Sequence, residues 1–230
     1  MCIDGDRSPS TRDTDDMKWD ILRSLDETHQ REVLRATVRR KFRNGDTLFH
    51  QGDPGDSVHL LDRGHVAIKV IERGGVVVTL DIVGPGSVFG EQTLIDPNAR
   101  RTASAVAIGV VETLTIQRDA FIELREQHPA VSNVLVEVLA VQVRRLSEQL
   151  LDAHSMGAEQ RVVKRLVLLA GEFRDGDAAT LPITQEELAT LAGTTRPTAN
   201  RALQVLVDDG FVQLGRGRIH IPDVTRLPKP

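Results

Sequence analysis

From Lys41 to about Arg118 the chain is a succession of short β-type runs broken by glycine and proline, and this texture constrains the fold more than any other feature. The runs are Leu48-Phe49-His50, 58–61, 66–71, 76–83, Ser87-Val88-Phe89, 102–107 and 110–116. Between them lie Asn44-Gly45-Asp46, Gly52-Asp53-Pro54-Gly55-Asp56, Arg63-Gly64, Gly74-Gly75 and Gly84-Pro85-Gly86. Strands a few residues apart, joined by tight turns, predict an antiparallel barrel or roll.

After Arg118 the turn signals stop. Residues 119–126 fit a short helix, and Pro129 suits the first turn of a longer one. Leu135, Leu139, Gln142, Leu146, Gln149 and Ala153 step alternately by four and three, a heptad seam with two polar members. A helix from Pro129 to about Ala153 would be roughly 37 Å long, more than a local connector needs. Its seam would serve either packing on its own domain or pairing with a second copy. Gly157 marks a break before a further helix over 158–172. Upstream, Ile21, Leu22, Leu25, Val33 and Leu34 give 17–40 a helical spacing that predicts two short helices. Residues 1–16, polar and Asp-rich around Ser8-Pro9-Ser10, read as a disordered leader.

The C-terminal part reads as a helix-turn-helix. Thr184-Gln185-Glu186-Glu187 is a capping box, followed by Leu188, Ala189, Leu191 and Ala192 and closed by Gly193. Thr194-Thr195 can cap a second helix that carries Arg196, Pro197, Thr198, Asn200 and Arg201 on its opening turns, with Ala202, Leu203, Val205 and Leu206 beneath. Pro197 is tolerated because a first-turn residue has no helical N–H partner to lose. Gly210–Leu214, Gly215-Arg216-Gly217 and Arg218–Ile221 then form a hairpin with a basic tip, a wing. Such a unit puts its second helix into the DNA major groove. Arg196 and Arg201 are the expected base readers, since arginine grips guanine bidentately, with Thr195, Thr198 and Asn200 beside them. Arg216 and Arg218 would contact phosphates.

Bulk charge neither supports nor opposes this. The net charge is −4, from 29 Lys and Arg against 33 Asp and Glu. Residues 1–153 hold 19 basic and 24 acidic residues (net −5), whereas 154–230 hold 10 and 9 (net +1), so the less acidic part is the one with the reader. The single cysteine, Cys2, excludes an internal disulfide, a four-thiolate iron–sulfur cluster and a structural zinc finger. The longest apolar stretch, residues 105–111, is too short to span a membrane, and the Asp-rich start lacks the apolar core of a secretion signal. A cytoplasmic protein is expected. The seven histidines, at 29, 50, 59, 65, 128, 154 and 220, show no metal-ligand spacing, so no metal is expected. There is no nucleophile–base constellation and no Walker loop, so no enzyme is expected.

Phe89-Gly90-Glu91-Gln92-Thr93-Leu94, followed by Arg100-Arg101-Thr102-Ala103, resembles the phosphate-binding cassette of cyclic-nucleotide-binding domains. With the helix-turn-helix, residues 18–222 resemble the Crp/Fnr family of bacterial transcription regulators. The resemblance implies an α+β architecture: an antiparallel β-roll that binds cyclic nucleotide (17–128), a long dimerisation helix (129–154) and a winged helix-turn-helix (155–230). It implies cAMP or a related cyclic nucleotide as effector, with Arg101 pairing the cyclic phosphate, Thr102 donating to it and Glu91 accepting from the ribose 2′-hydroxyl. Backbone N–H groups of Gly90 and the following short helix would complete the anion cradle, flanked by Phe89 and Gln92. In cAMP-responsive members adjacent hydroxyl residues of both subunits touch the adenine amine; these positions fall on Leu146 and Ser147, so one hydroxyl is missing. Where the best-known pattern of the reader has an acidic residue after the first arginine, this chain has Pro197. The implied partners are a second copy of the chain, a palindromic DNA operator and RNA polymerase, and no membrane.

Overall fold

The computed structural model describes Leu22, Leu25 and residues 26–228 except Pro97; the expected leader, Cys2 and Ile21 lie outside the described residues. The first helix, α1 (Glu27–Arg35), is capped by Asp26, whose Oδ1 accepts from the His29 amide at 2.9 Å. It buries Val33 with Leu22 and Leu25. The helical expectation fails beyond it, because Thr37–Phe42 is a strand, β1, paired antiparallel with β6 (Ser104–Gln117). Its Arg39-Arg40-Lys41 run would suit a solvated helix face. On the edge of the sheet, however, Arg39 pairs with Asp62 and Glu112, and Lys41 with Glu112, so the basic side chains are matched across the strands.

The remaining strands of the roll are β2 (Thr47–Phe49), β3 (Ser57–Ile71), β4 (Val77–Val83) and β5 (Val88–Phe89). They join in the order β1-β6-β3-β4, with β2 also on β6 and β5 on β3, all antiparallel. Two expected interruptions are absent. Arg63-Gly64 does not turn the chain; β3 runs straight through it with register shifts on either side. Gly64 sits at φ +80°, and a Cβ there would lie 2.3 Å from the Val110 carbonyl oxygen, so the glycine permits a bulge where two strands touch backbone to backbone. The runs 102–107 and 110–116 likewise merge into β6, with Thr102 and Ala103 left before it. Leu61, Val66, Phe89, Ala105 and Val111 fill the interior of the roll.

Beyond the roll, α2 (Arg118–Gln127) leads to α3 (Val131–Ser155), the long helix. Then come α4 (Ala158–Glu172), β7 (Arg174–Asp175), β8 (Ala178–Leu181), α5 (Gln185–Leu191), α6 (Arg196–Asp208), β9 (Gln213–Gly215) and β10 (Arg218–Ile221). The Thr184 capping box is present: its Oγ1 accepts from the Glu187 amide at 3.1 Å while Glu187 Oε2 accepts from the Thr184 amide at 2.8 Å. Strands β7 and β8, not expected from the sequence, extend the wing into a four-stranded antiparallel sheet ordered β7-β8-β10-β9. Leu166, Leu181, Leu188, Leu203, Ile219 and Ile221 are buried together between this sheet and α4–α6. Ala67 and Ile82 of the roll belong to the same cluster, so the reader is seated on the roll.

Candidate functional site

Between the roll and α3 is a cavity of about 600 Å³. Three segments form it. One is β5 with the short 3-10 helix Glu91–Leu94 and supplies Phe89, Gly90, Glu91 and Gln92; the second supplies Arg101 and Thr102; the third is α3, with Gln142, Arg145, Leu146 and Gln149. All six expected cassette residues are therefore brought to one wall.

Arg101 is buried, and its surroundings define what the site lacks. Its Nη2 donates to the Ser57 carbonyl at 2.7 Å and to Ser57 Oγ at 3.0 Å, and its Nη1 to the Gly90 carbonyl at 3.1 Å. The guanidinium lies over the Phe49 ring, 4.1 Å from its centroid. Its closest carboxylate is that of Asp56, at 3.4 Å on a side chain that is 75% exposed, too well hydrated to neutralise a buried cation. Its Nε is shut off from solvent with no partner at all. Burial pushes the guanidinium below its ordinary pKa, with Asp56 opposing. A buried cation with an idle N–H on a cavity wall fits an anion. The backbone is shaped around it as well: Gly90 has φ +81°, and a Cβ there would sit 2.5 Å from Arg101 Nη1. Glu91 is buried on the same wall, and Thr102 Oγ1 donates to Gln92 Oε1 at 3.1 Å, which joins the two segments across the cavity wall.

The expected seam positions of the long helix divide between the core, the cavity and the open face. Leu135 packs into the core beneath the roll, and Gln142 and Gln149 turn into the cavity. The open face instead carries Val136, Val143, Leu146 and Leu150, each more than half exposed, with half-buried Leu139 and exposed Ala153 in the same row. Ser147 faces away from its own chain's cavity and donates to the Val143 carbonyl at 2.9 Å. Asp81 on β4 ion-pairs with Arg145 of α3 and lies 3.9 Å from Arg165 of α4, a joint between roll, long helix and reader that no sequence spacing announces.

On the reader, Thr195 is the N-cap of α6, its Oγ1 3.2 Å from Thr198 Oγ1, and Arg196 and Arg201 project from the first two turns with most of their side chains in solvent. Arg201 Nε lies 3.4 Å from Glu159 Oε1 and Arg196 Nε 4.0 Å from Glu186 Oε2. Asn200 is half-buried and its Oδ1 has no partner. Arg216 and Arg218 are exposed at the wing tip. No helix among the described residues is long and apolar enough to cross a membrane.

A roll with such a cavity, joined to a winged helix-turn-helix, defines the class: a DNA-binding regulator with a nucleotide-binding-type sensor domain. The cyclic nucleotide-binding domain family matches residues 39–128, and the Crp-like helix-turn-helix domain family matches 160–229. The chain is 35% identical over 189 residues to the cyclic AMP receptor protein of Thermus thermophilus, covering 82% of this chain and 86% of that protein. It is 35% identical over 192 residues to the CRP-like cAMP-activated global transcriptional regulator of Mycobacterium tuberculosis, covering 82% and 85%. The crystal structure of the Thermus thermophilus catabolite activator protein matches with a TM-score of 0.52 and 31% identity over 90% of this chain and 95% of that one. The chain belongs to the Crp/Fnr family of transcription regulators, which are not enzymes.

Proposed function

We propose that this regulator is a homodimer that reads a palindromic operator under the control of cAMP or a related cyclic nucleotide held in the cavity beside α3. The observation that carries the reading is Arg101: a buried guanidinium with a free Nε–H on the wall of a cavity large enough for a nucleotide. Arg101, Thr102 and the Gly90 amide would take the cyclic phosphate, and Glu91 the ribose 2′-hydroxyl. The base would lie toward Gln142, Leu146 and Gln149, with Ser147 offered to the partner's ligand. The apolar row Val136, Leu139, Val143, Leu146, Leu150 and Ala153 supports dimerisation along α3. Two copies then present two α6 helices, which must stand roughly 34 Å apart to enter successive major grooves. RNA polymerase would be met by the DNA-bound dimer.

A ligand shifts an equilibrium only through its different affinity for two states. Here the cavity wall contains Arg145, whose partner Asp81 also faces Arg165 on α4, so filling the cavity bears directly on the joint that seats the reader. A second reading, a constitutive DNA binder with an idle pocket, is favoured by Leu146 standing where a hydroxyl is expected and by the protein's own carbonyls occupying both Arg101 Nη groups. Titrating a labelled palindromic operator with and without cAMP separates the two. Tighter operator binding with cAMP supports nucleotide control, and equal affinity in both supports the constitutive reading.

A further inference from the structure

We propose that His29, Glu32 and His128 form a binding site for a divalent transition metal, with Zn²⁺ as the ion its donors suit best. The sequence gives no hint of it, since His29 and His128 lie at opposite ends of the sensor domain. In the fold, the i,i+3 spacing puts His29 and Glu32 on one face of α1, and His128, the C-cap of α2, packs against that face. One donor atom from each of the three residues lies within 4.8 Å of the other two. The two imidazoles meet edge to face with centroids 4.8 Å apart, and His128 Nε2 is 2.8 Å from Glu32 Oε2.

The second observation is how these atoms are enclosed. His29 Nδ1 and Glu32 Oε2 are both closed off from solvent. His29 Nδ1 stands 2.8 Å from Asp26 Oδ2, and Glu32 Oε2 2.8 Å from His128 Nε2, so each ligand candidate is already held by a neighbour. Two imidazoles and a carboxylate crowded this closely offer a cation one lone pair from each residue. A cation bound there would be held by all three residues at once. Two imidazole nitrogens with a carboxylate oxygen are the borderline donor set of zinc, whereas calcium and magnesium take oxygen alone. Asp26 is the natural outer support: its Oδ1 caps α1 and its Oδ2 stands against the His29 ring. Ligand atoms around tetrahedral zinc stand about 3.3 Å apart, so side-chain rotations alone would close the cluster onto the ion.

The position gives the ion a consequence. The His128 carbonyl accepts from the Val131 amide at 2.9 Å, at the first residue of α3. An ion held by α1 and His128 therefore staples the N-terminal helix to the root of the long helix, away from the nucleotide cavity and independent of it.

The test uses the full chain carrying Cys2→Ser, to remove its only thiol, stripped with chelator and titrated calorimetrically with Zn²⁺. The expected result is one Zn²⁺ per chain with Kd in the micromolar range or below, a rise in Tm, and slower amide exchange along α1. His29→Gln combined with His128→Gln should weaken binding at least tenfold and abolish the Tm rise. Glu32→Gln, which keeps both imidazoles, should weaken it less and serves as the comparison if the double variant does not fold. Absence of saturable Zn²⁺ binding, or binding of unchanged affinity in the folded variants, would overturn the proposal.

Discussion

Lys69 on β3 of the roll reaches Glu187 on α5 of the reader, with Nζ 2.8 Å from Oε1 and both side chains about three-quarters buried. Beside it the Thr79 amide of β4 donates to Thr190 Oγ1 at 3.2 Å, and His65 stacks on Phe173 with ring centroids 3.9 Å apart. Sensor and reader are thus joined by a small set of polar and aromatic contacts over the shared apolar patch of Ala67 and Ile82. Replacing Lys69 by Met removes the charge and keeps the stem. A partly buried pair of this kind contributes about 1 kcal/mol. Amide exchange at Thr79, which reports opening of the joint, should accelerate about fivefold in the variant. Unchanged protection would mean the pair does not hold the reader.

The acid limb of stability should carry a signature of His59. Burial, followed by the nearby Arg101 and Arg40 charges, lowers its pKa from 6.5 to about 3, and the ring is stacked on Phe89 at 5.2 Å. Because the folded form resists protonation and the unfolded chain does not, the contribution is intact above pH 6.5 and is lost as pH falls toward 3. At pH 5 the loss is about 2 kcal/mol. Urea unfolding of wild type and His59→Phe at pH 7 and 5 measures it: the drop between the two pH values should shrink by that amount in the variant. An equal drop in both proteins would refute the assignment.

Dimerisation along α3 predicts that Val143→Glu with Leu150→Glu, both on its open face, yields a monomer by sedimentation equilibrium while the circular dichroism of the chain is retained. A dimer that persists in this variant would place the interface elsewhere.

Arg201→Ala should lower affinity for the specific operator by about 1–3 kcal/mol and leave cAMP binding unchanged. In the free protein Arg201 lies against Glu159, so DNA must compete with that carboxylate for the guanidinium. Equal loss on random and specific DNA would make Arg201 a phosphate contact and not a base reader.

What the sequence disclosed and what it hid follow a physical line. Local signals were legible: the Thr184 capping box, the α4 boundaries and the wing hairpin rest on neighbours a few residues apart. The cassette stretches, noticed by their resemblance to a known motif, are brought together on the cavity by the fold. Gly64 was misread because a bulge and a turn ask for the same positive φ. Strand β1 was missed because its Arg39 and Lys41 are matched by Asp62 and Glu112, which lie far away in the sequence. That Gln142 and Gln149 also line the cavity was hidden, because a heptad count cannot see a neighbouring cavity. The Asp81–Arg145–Arg165 joint and the His29–Glu32–His128 cluster depend on three-dimensional proximity alone.

Calorimetric titration of 3′,5′-cAMP into wild type and Arg101→Leu tests the central claim most directly. Wild type should bind one nucleotide per chain, and the variant, still folded and dimeric, should show no saturable heat over the same concentration range. Identical binding by both proteins, or none by wild type, would contradict the assignment of Arg101 as the anchor of a nucleotide sensor.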